Sequence, residues 1–125
     1  MWKKSLEKGN EFYNMDQKEY LETYIFYGLQ NLNTGFDASG IFYFKEADFE
    51  IILNRIKQKG IKIFGIEPWK DGKFFDVEVF DDYDTSPDNP DWYFAAFQKF
   101  KDSGESLQYA ASYEIPAKLL TESEY

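Results

Sequence analysis

Apolar and polar positions alternate most clearly from residue 41 onward. Ile41, Phe42, Tyr43 and Phe44 form a short apolar run that predicts a strand. Phe49, Ile52, Leu53 and Ile56 then recur at spacings of three and four, so a helix over residues 46–59 presents one apolar stripe. Glu46, Asp48 and Glu50 lie near its positive end, and Lys57 and Lys59 near its negative end, where the helix dipole favours each sign. Gly60 is a natural C-terminal stop. Residues 61–67 are apolar on both faces, which predicts a buried central strand. Gly65 within that strand suggests a bulge or a close backbone approach, and Pro68 is expected to end the pairing. Lys70, Asp71 and Gly72 signal a hairpin turn. On the return strand Phe75, Val77 and Val79 alternate with Asp76 and Glu78, which predicts one wet face.

A loop dense in Asp, Ser and Pro covers residues 81–89. Asn89 followed by Pro90 starts a second helix, with an N-cap side chain and proline in the first helical position. Tyr93, Ala96, Phe97 and Phe100 line its inner face, Lys99 and Lys101 suit its last turn, and Gly104 ends it. Leu107, Tyr109, Ala111, Tyr113 and Ile115 then alternate with polar or small residues as a half-buried strand, stopped by Pro116. Residues 117–125 suit a helical turn that frays. Before residue 41 the pattern is weaker. Residues 1–15 are polar with scattered aromatics, a short helix or an arm. Asp16 and Glu19 have capping-box spacing, and Leu21, Tyr24, Ile25, Gly28 and Leu32 share a helical face. Residues 23–27 also have strand chemistry, though helix is the preferred reading. Residues 31–40 read as a loop. The order strand, helix, strand, strand, helix, strand over residues 41–116 predicts an α+β fold. It matches the ferredoxin-like split βαβ, an antiparallel sheet with helices on one face and an N-terminal helical segment beside it.

Composition bounds what such a domain does. At 125 residues the chain is expected to form one domain. Aromatics reach 21%, more than a core of this size readily hides, so some are expected at a surface. Cys and His are both absent, which removes thiolate nucleophiles, Ser-His-Asp triads and Cys- or His-ligated metals. No apolar run approaches the roughly 18 residues of a membrane span, and no signal-peptide pattern follows Met1, so a cytoplasmic protein is expected. A net charge of −9 opposes binding to nucleic acid or anionic lipid and suits a basic protein partner.

Residues 74–98 concentrate the candidate chemistry. Asp76, Glu78, Asp81, Asp82, Asp84, Asp88 and Asp91 occur there before any Lys or Arg, together with Tyr83, Trp92 and Tyr93. Carboxylates orient a basic partner and rings supply anchor area, so this segment reads as a docking surface, with a solvated acidic loop as the plain alternative. A calcium loop fits only at Asp82, Asp84 and Ser86, because Pro87 and Tyr93 stand where glycine and a bidentate Glu are needed. No cofactor motif is present. Glu67, Asp71 and Asp76 around one hairpin, with Trp69 able to stack on a sugar, leave a small carboxylate-dependent hydrolase as an alternative. A ferredoxin-like ligand-binding module that dimerises through its open sheet face is a third reading.

Four stretches together resemble small immunity proteins of bacterial polymorphic-toxin systems. They are Lys59-Gly60-Ile61, Phe64-Gly65-Ile66-Glu67, Asp71-Gly72 and Asp91-Trp92-Tyr93, and the resemblance covers residues 46–101. That group tends to carry two glycines and then Asp where this chain has Gly65, Ile66 and Glu67. The resemblance implies a non-enzymatic inhibitor of one cognate toxin domain, often a nuclease. It implies that Glu67, Asp81, Asp82, Asp84, Asp88 and Asp91 meet the partner's positive charge. Trp69, Tyr83, Trp92 and Tyr93 would then be its aromatic anchors.

Overall fold

Asp16 caps the first helix as its spacing predicts. Its carboxylate accepts from Glu19 N–H at 2.8 Å, and Glu19 reaches back to Asp16 N–H at 3.1 Å. A computed structural model describes residues 3–4 and 13–122 of the chain. Within residues 1–15 it shows β1 (Lys3–Lys4) paired antiparallel with β2 (Tyr13–Asn14); the rest of the expected arm lies outside the described residues, as do residues 123–125. Helix α1 (Gln17–Tyr20) continues into one π-helical turn, Leu21–Ile25, closed by Phe26 N–H on Leu21 C=O. The helical reading of this stretch therefore holds over residues 17–25 and stops before Gly28, whose φ is +81°.

Helix α2 (Glu46–Lys59) buries Phe49, Ile52, Leu53 and Ile56, the stripe its spacing predicts, and ends on Gly60 with φ +68°. Helix α3 (Pro90–Asp102) starts on Asn89, whose side chain accepts from Asp91 N–H at 3.0 Å. It buries Trp92, Tyr93, Ala96, Phe97 and Phe100. The sheet comprises β3 (Phe44–Lys45), β4 (Lys62–Lys70), β5 (Lys73–Phe74), β6 (Glu78–Val79) and β7 (Gln108–Glu114). A short helix α4 (Ala117–Glu122) follows Pro116. Among the described residues no helix is long and apolar enough to cross a membrane.

Every strand pair is antiparallel, in the order β3-β7-β4-β5, with β6 also on β4. The fold is thus α+β, and β7 lies inside the sheet between β3 and β4. Each long helix joins two strands that have one other strand between them. Tyr109 of β7 stacks on Phe49 of α2 at 5.1 Å and meets Phe97 of α3 edge-on at 5.2 Å, so both helices cover the same sheet face. Ile61, Ile63, Ile66 and Phe44 complete the core beneath them.

Two local features depart from the expected pattern. The first strand is shorter than residues 41–44, because Tyr43 turns to residues 31–32: its N–H donates to Asn31 Oδ1 at 3.0 Å and its C=O accepts from Leu32 N–H at 2.8 Å. Pro68 does not end β4. Proline lacks only a donor, and its carbonyl still accepts from Phe75 and Asp76 N–H, so the strand runs on to Lys70. The two-residue turn then has positive φ at both Asp71 and Gly72, the twist that matches a hairpin. The bulge expected near Gly65 is present, as a register shift between Ile63 and Gly65.

Candidate protein-binding surface

The acidic segment is an ordered, tied-down loop. Phe80–Tyr83 forms a 3-10 turn that ends on Asp84, which adopts the left-handed conformation at φ +56°. Asn89 Nδ2 donates to Thr85 Oγ1 at 2.8 Å, and Ser86 Oγ donates to Asp88 Oδ1 at 2.7 Å. Ile63 N–H of β4 donates to Pro87 C=O at 3.0 Å, which pins the loop to the sheet. Asp81, Asp82, Asp84, Asp88 and Asp91 are all exposed. None of them forms an ion pair among the described residues. Their charge is therefore offered to solvent or to a partner.

The rings of the same segment are turned the other way. Trp92 and Tyr93 are only 2% and 1% exposed and sit in the core, so they are not surface anchors, contrary to expectation. The cause is helical periodicity: both fall on the stripe of α3 that also carries Ala96, Phe97 and Phe100. Tyr83 is half-buried against Trp92 at 5.5 Å. Its hydroxyl donates to Glu78 Oε1 at 2.7 Å, and the second oxygen of Glu78 takes Lys99 Nζ at 2.6 Å. Burial together with the Glu78 hydrogen bond pushes the Tyr83 phenol up to about 12. Burial, then the nearby Asp88 charge, does the same for Tyr93.

Burial would raise the Glu78 carboxyl, but the Lys99 and Tyr83 hydrogen bonds outweigh it and hold the carboxyl below its usual value. A carboxyl depressed in the folded state adds stability above its unfolded pKa. That stability is lost as pH falls through the lower, folded value. Glu78→Gln is expected to lose about 1 kcal/mol at neutral pH, less than the roughly 1.5–3 kcal/mol of charged hydrogen bonds because the lysine end is solvent-screened. Urea titrations at neutral pH and below the carboxyl range check this: the gap between wild type and variant should close in acid. A gap of equal size at both pH values contradicts the role given to Glu78.

Trp69 and Glu67 lie elsewhere, on the sheet face opposite the helices. Trp69 Nε1 donates to Glu67 Oε2 at 2.7 Å, and its ring packs on Phe36 at 5.6 Å and Tyr43 at 5.3 Å. Phe36 is held there by Asn33, whose Nδ2 donates to the carbonyls of Ala38 and Ile41 at 2.9 and 2.8 Å while its Oδ1 accepts from Gly35 N–H at 3.0 Å. Tyr43 donates its hydroxyl to Asp37 Oδ2 at 2.6 Å, and burial with that bond raises its pKa.

This second face holds what sequence reasoning missed. The pairings Gly65 to Val79 and Trp69 to Phe74 set Val79 and Phe74 on the helix-free side, while Glu78, opposite Ile66, turns toward α3. The wet face of the return strand is thus the apolar one: Phe74 is 57% exposed, Val77 42% and Val79 36%. A groove of about 320 Å³ opens beside them, lined by Ile41, Tyr43, Phe64, Glu67, Val77, Val79, residues 110–112 and Gly65. Phe64 meets Phe80 edge-on at 5.8 Å, so the groove and the acidic loop share a wall. Strand alternation alone could have flagged Phe74 to Val79, but only the register says which side faces the helices.

Of the hairpin acids Glu67, Asp71 and Asp76, only Glu67 lines that groove. Among the described residues no group of three or more Asp or Glu is placed to hold a metal ion. Comparison with family models, curated proteins and solved structures yields no match.

Proposed function

We propose that this chain is a non-enzymatic, acidic protein-binding domain, an immunity protein that neutralises a cognate toxin domain by covering its basic surface. The observation that carries this is the set of exposed carboxylates at Asp81, Asp82, Asp84, Asp88 and Asp91. They are held on an ordered loop, and none of them is in an ion pair among the described residues. Fixed charge of one sign steers a partner of the other and lies where a nuclease would meet phosphate. Tyr83 orders the loop through Glu78, while Trp92 and Tyr93 act as its foundation in the core. On this reading the protein works in the cytoplasm, without cofactor, nucleic acid or membrane. The two interleaved strand-helix-strand units further support reading the fold as a ferredoxin-like variant, with the last strand moved to the interior.

Co-expression with the protein encoded immediately upstream tests the proposal. That protein alone should arrest bacterial growth, and the pair should grow and co-purify. Arrest that persists in the presence of this chain overturns the reading.

A further inference from the structure

We infer that the groove on the helix-free sheet face receives a lysine or arginine side chain from the basic protein partner, with Glu67 as its counter-charge. The inference rests on the protein-binding reading above and locates the contact that orients the complex. The groove's shape follows from residue size: Gly65 and Ala110 keep its floor low, while Ile41, Phe64, Val77 and Val79 stand as walls. At about 320 Å³ it lies at the small end of ligand pockets, which span about 300–1,000 Å³. That volume suits one long side chain.

Charge selects which side chain. Glu67 is half-buried in an otherwise mostly apolar lining, and among the described residues only one of its oxygens is hydrogen-bonded, to the Trp69 indole. No cation pairs with it among the described residues. The Glu67 oxygen not held by the indole can accept from a cation, and one that enters with an aliphatic stem also covers the apolar walls with its methylenes. The exposed rings of Phe74 and Phe75 extend the apolar surface along the β5–β6 edge, where an extended partner segment bearing that side chain can lie. A second copy of this chain is disfavoured because it brings a net charge of −9 against −9.

The test needs no partner. An amide-detected NMR titration of the full chain with n-butylguanidinium, against neutral n-butylurea, reads the groove directly. The guanidinium should shift the amides of Ile41, Gly65, Glu67 and Val79 saturably and bind at least tenfold more tightly than the urea. Glu67→Gln should remove that preference while the rest of the spectrum stays in place. Should Glu67→Gln alter the fold, Val77→Ser, on an exposed position, is expected to weaken both probes together. Three results overturn the inference: equal affinity for the two probes, shifts centred on residues 81–91 and unchanged in Glu67→Gln, or groove amides already shifted by self-association at rising protein concentration. The acidic-loop reading survives any of the three, and a failed growth rescue with intact probe binding leaves the groove assignment standing.

Discussion

Trp92→Ala should destabilise the protein by about 3–5 kcal/mol, the usual cost of emptying a buried aromatic site. The indole is 2% exposed, lies against Tyr83 at 5.5 Å and Tyr93 at 6.2 Å, and its Nε1 reaches Pro87 C=O at 3.4 Å. Truncation therefore opens a cavity under the acidic loop and removes one of its ties. Against a typical total stability of about 5–15 kcal/mol, that is about a fifth or more of the folding free energy. At roughly 4 °C per kcal/mol the midpoint should fall by about 10–20 °C, as thermal unfolding followed by circular dichroism would show. Trp92→Phe keeps most of the ring and should lose far less. The alternative outcome is equally readable: a Trp92→Ala protein of wild-type stability that no longer binds its partner would restore Trp92 as a surface anchor.

Removing charge from the loop should have the converse profile. The combination Asp81→Lys, Asp82→Lys and Asp84→Asn alters exposed positions only, and asparagine keeps the left-handed backbone at position 84 comfortable. Stability should stay within about 0.5 kcal/mol of wild type. Association with the basic partner should slow by about 10–100-fold at low ionic strength, because the attractive field that steers encounter is reversed at its centre. Stopped-flow rates at about 0.01 M and 1 M salt, where the screening length is roughly 30 and 3 Å, make the comparison. Wild type should be fast at low salt and slow at high salt, and the variant nearly flat. A variant with the wild-type salt slope would show that these carboxylates do not steer the partner.

The long helices were legible because their signals are local. Asn89 and Pro90 start α3, Gly60 ends α2, and the three-four spacing of Phe49, Ile52, Leu53 and Ile56 names the buried stripe without reference to anything distant. The same periodicity, applied to Trp92 and Tyr93, already places both on the inner face of α3. Their acidic neighbours in sequence point to a surface, but the helical face decides their burial. Over residues 31–40 the sequence announces only a loop. Its organisation by Asn33, and the packing of Phe36 on Tyr43 and Trp69, depend on contacts with the sheet that composition does not announce.

From its residues alone the chain reveals an α+β fold, two capped amphipathic helices, a tight hairpin at Asp71 and Gly72, and a cluster of carboxylates with no neighbouring base. The helices, the hairpin and the carboxylates are written in spacings of four residues or fewer, or in charge, and the fold class in the order of the elements. Which face of the return strand meets the helices, where β7 inserts, and whether Glu67 shares a groove with Val79 were decided by tertiary structure. A strand's pattern repeats every two residues and reads the same on either side, so a single register, Gly65 against Val79, chooses between burying and exposing the whole apolar row.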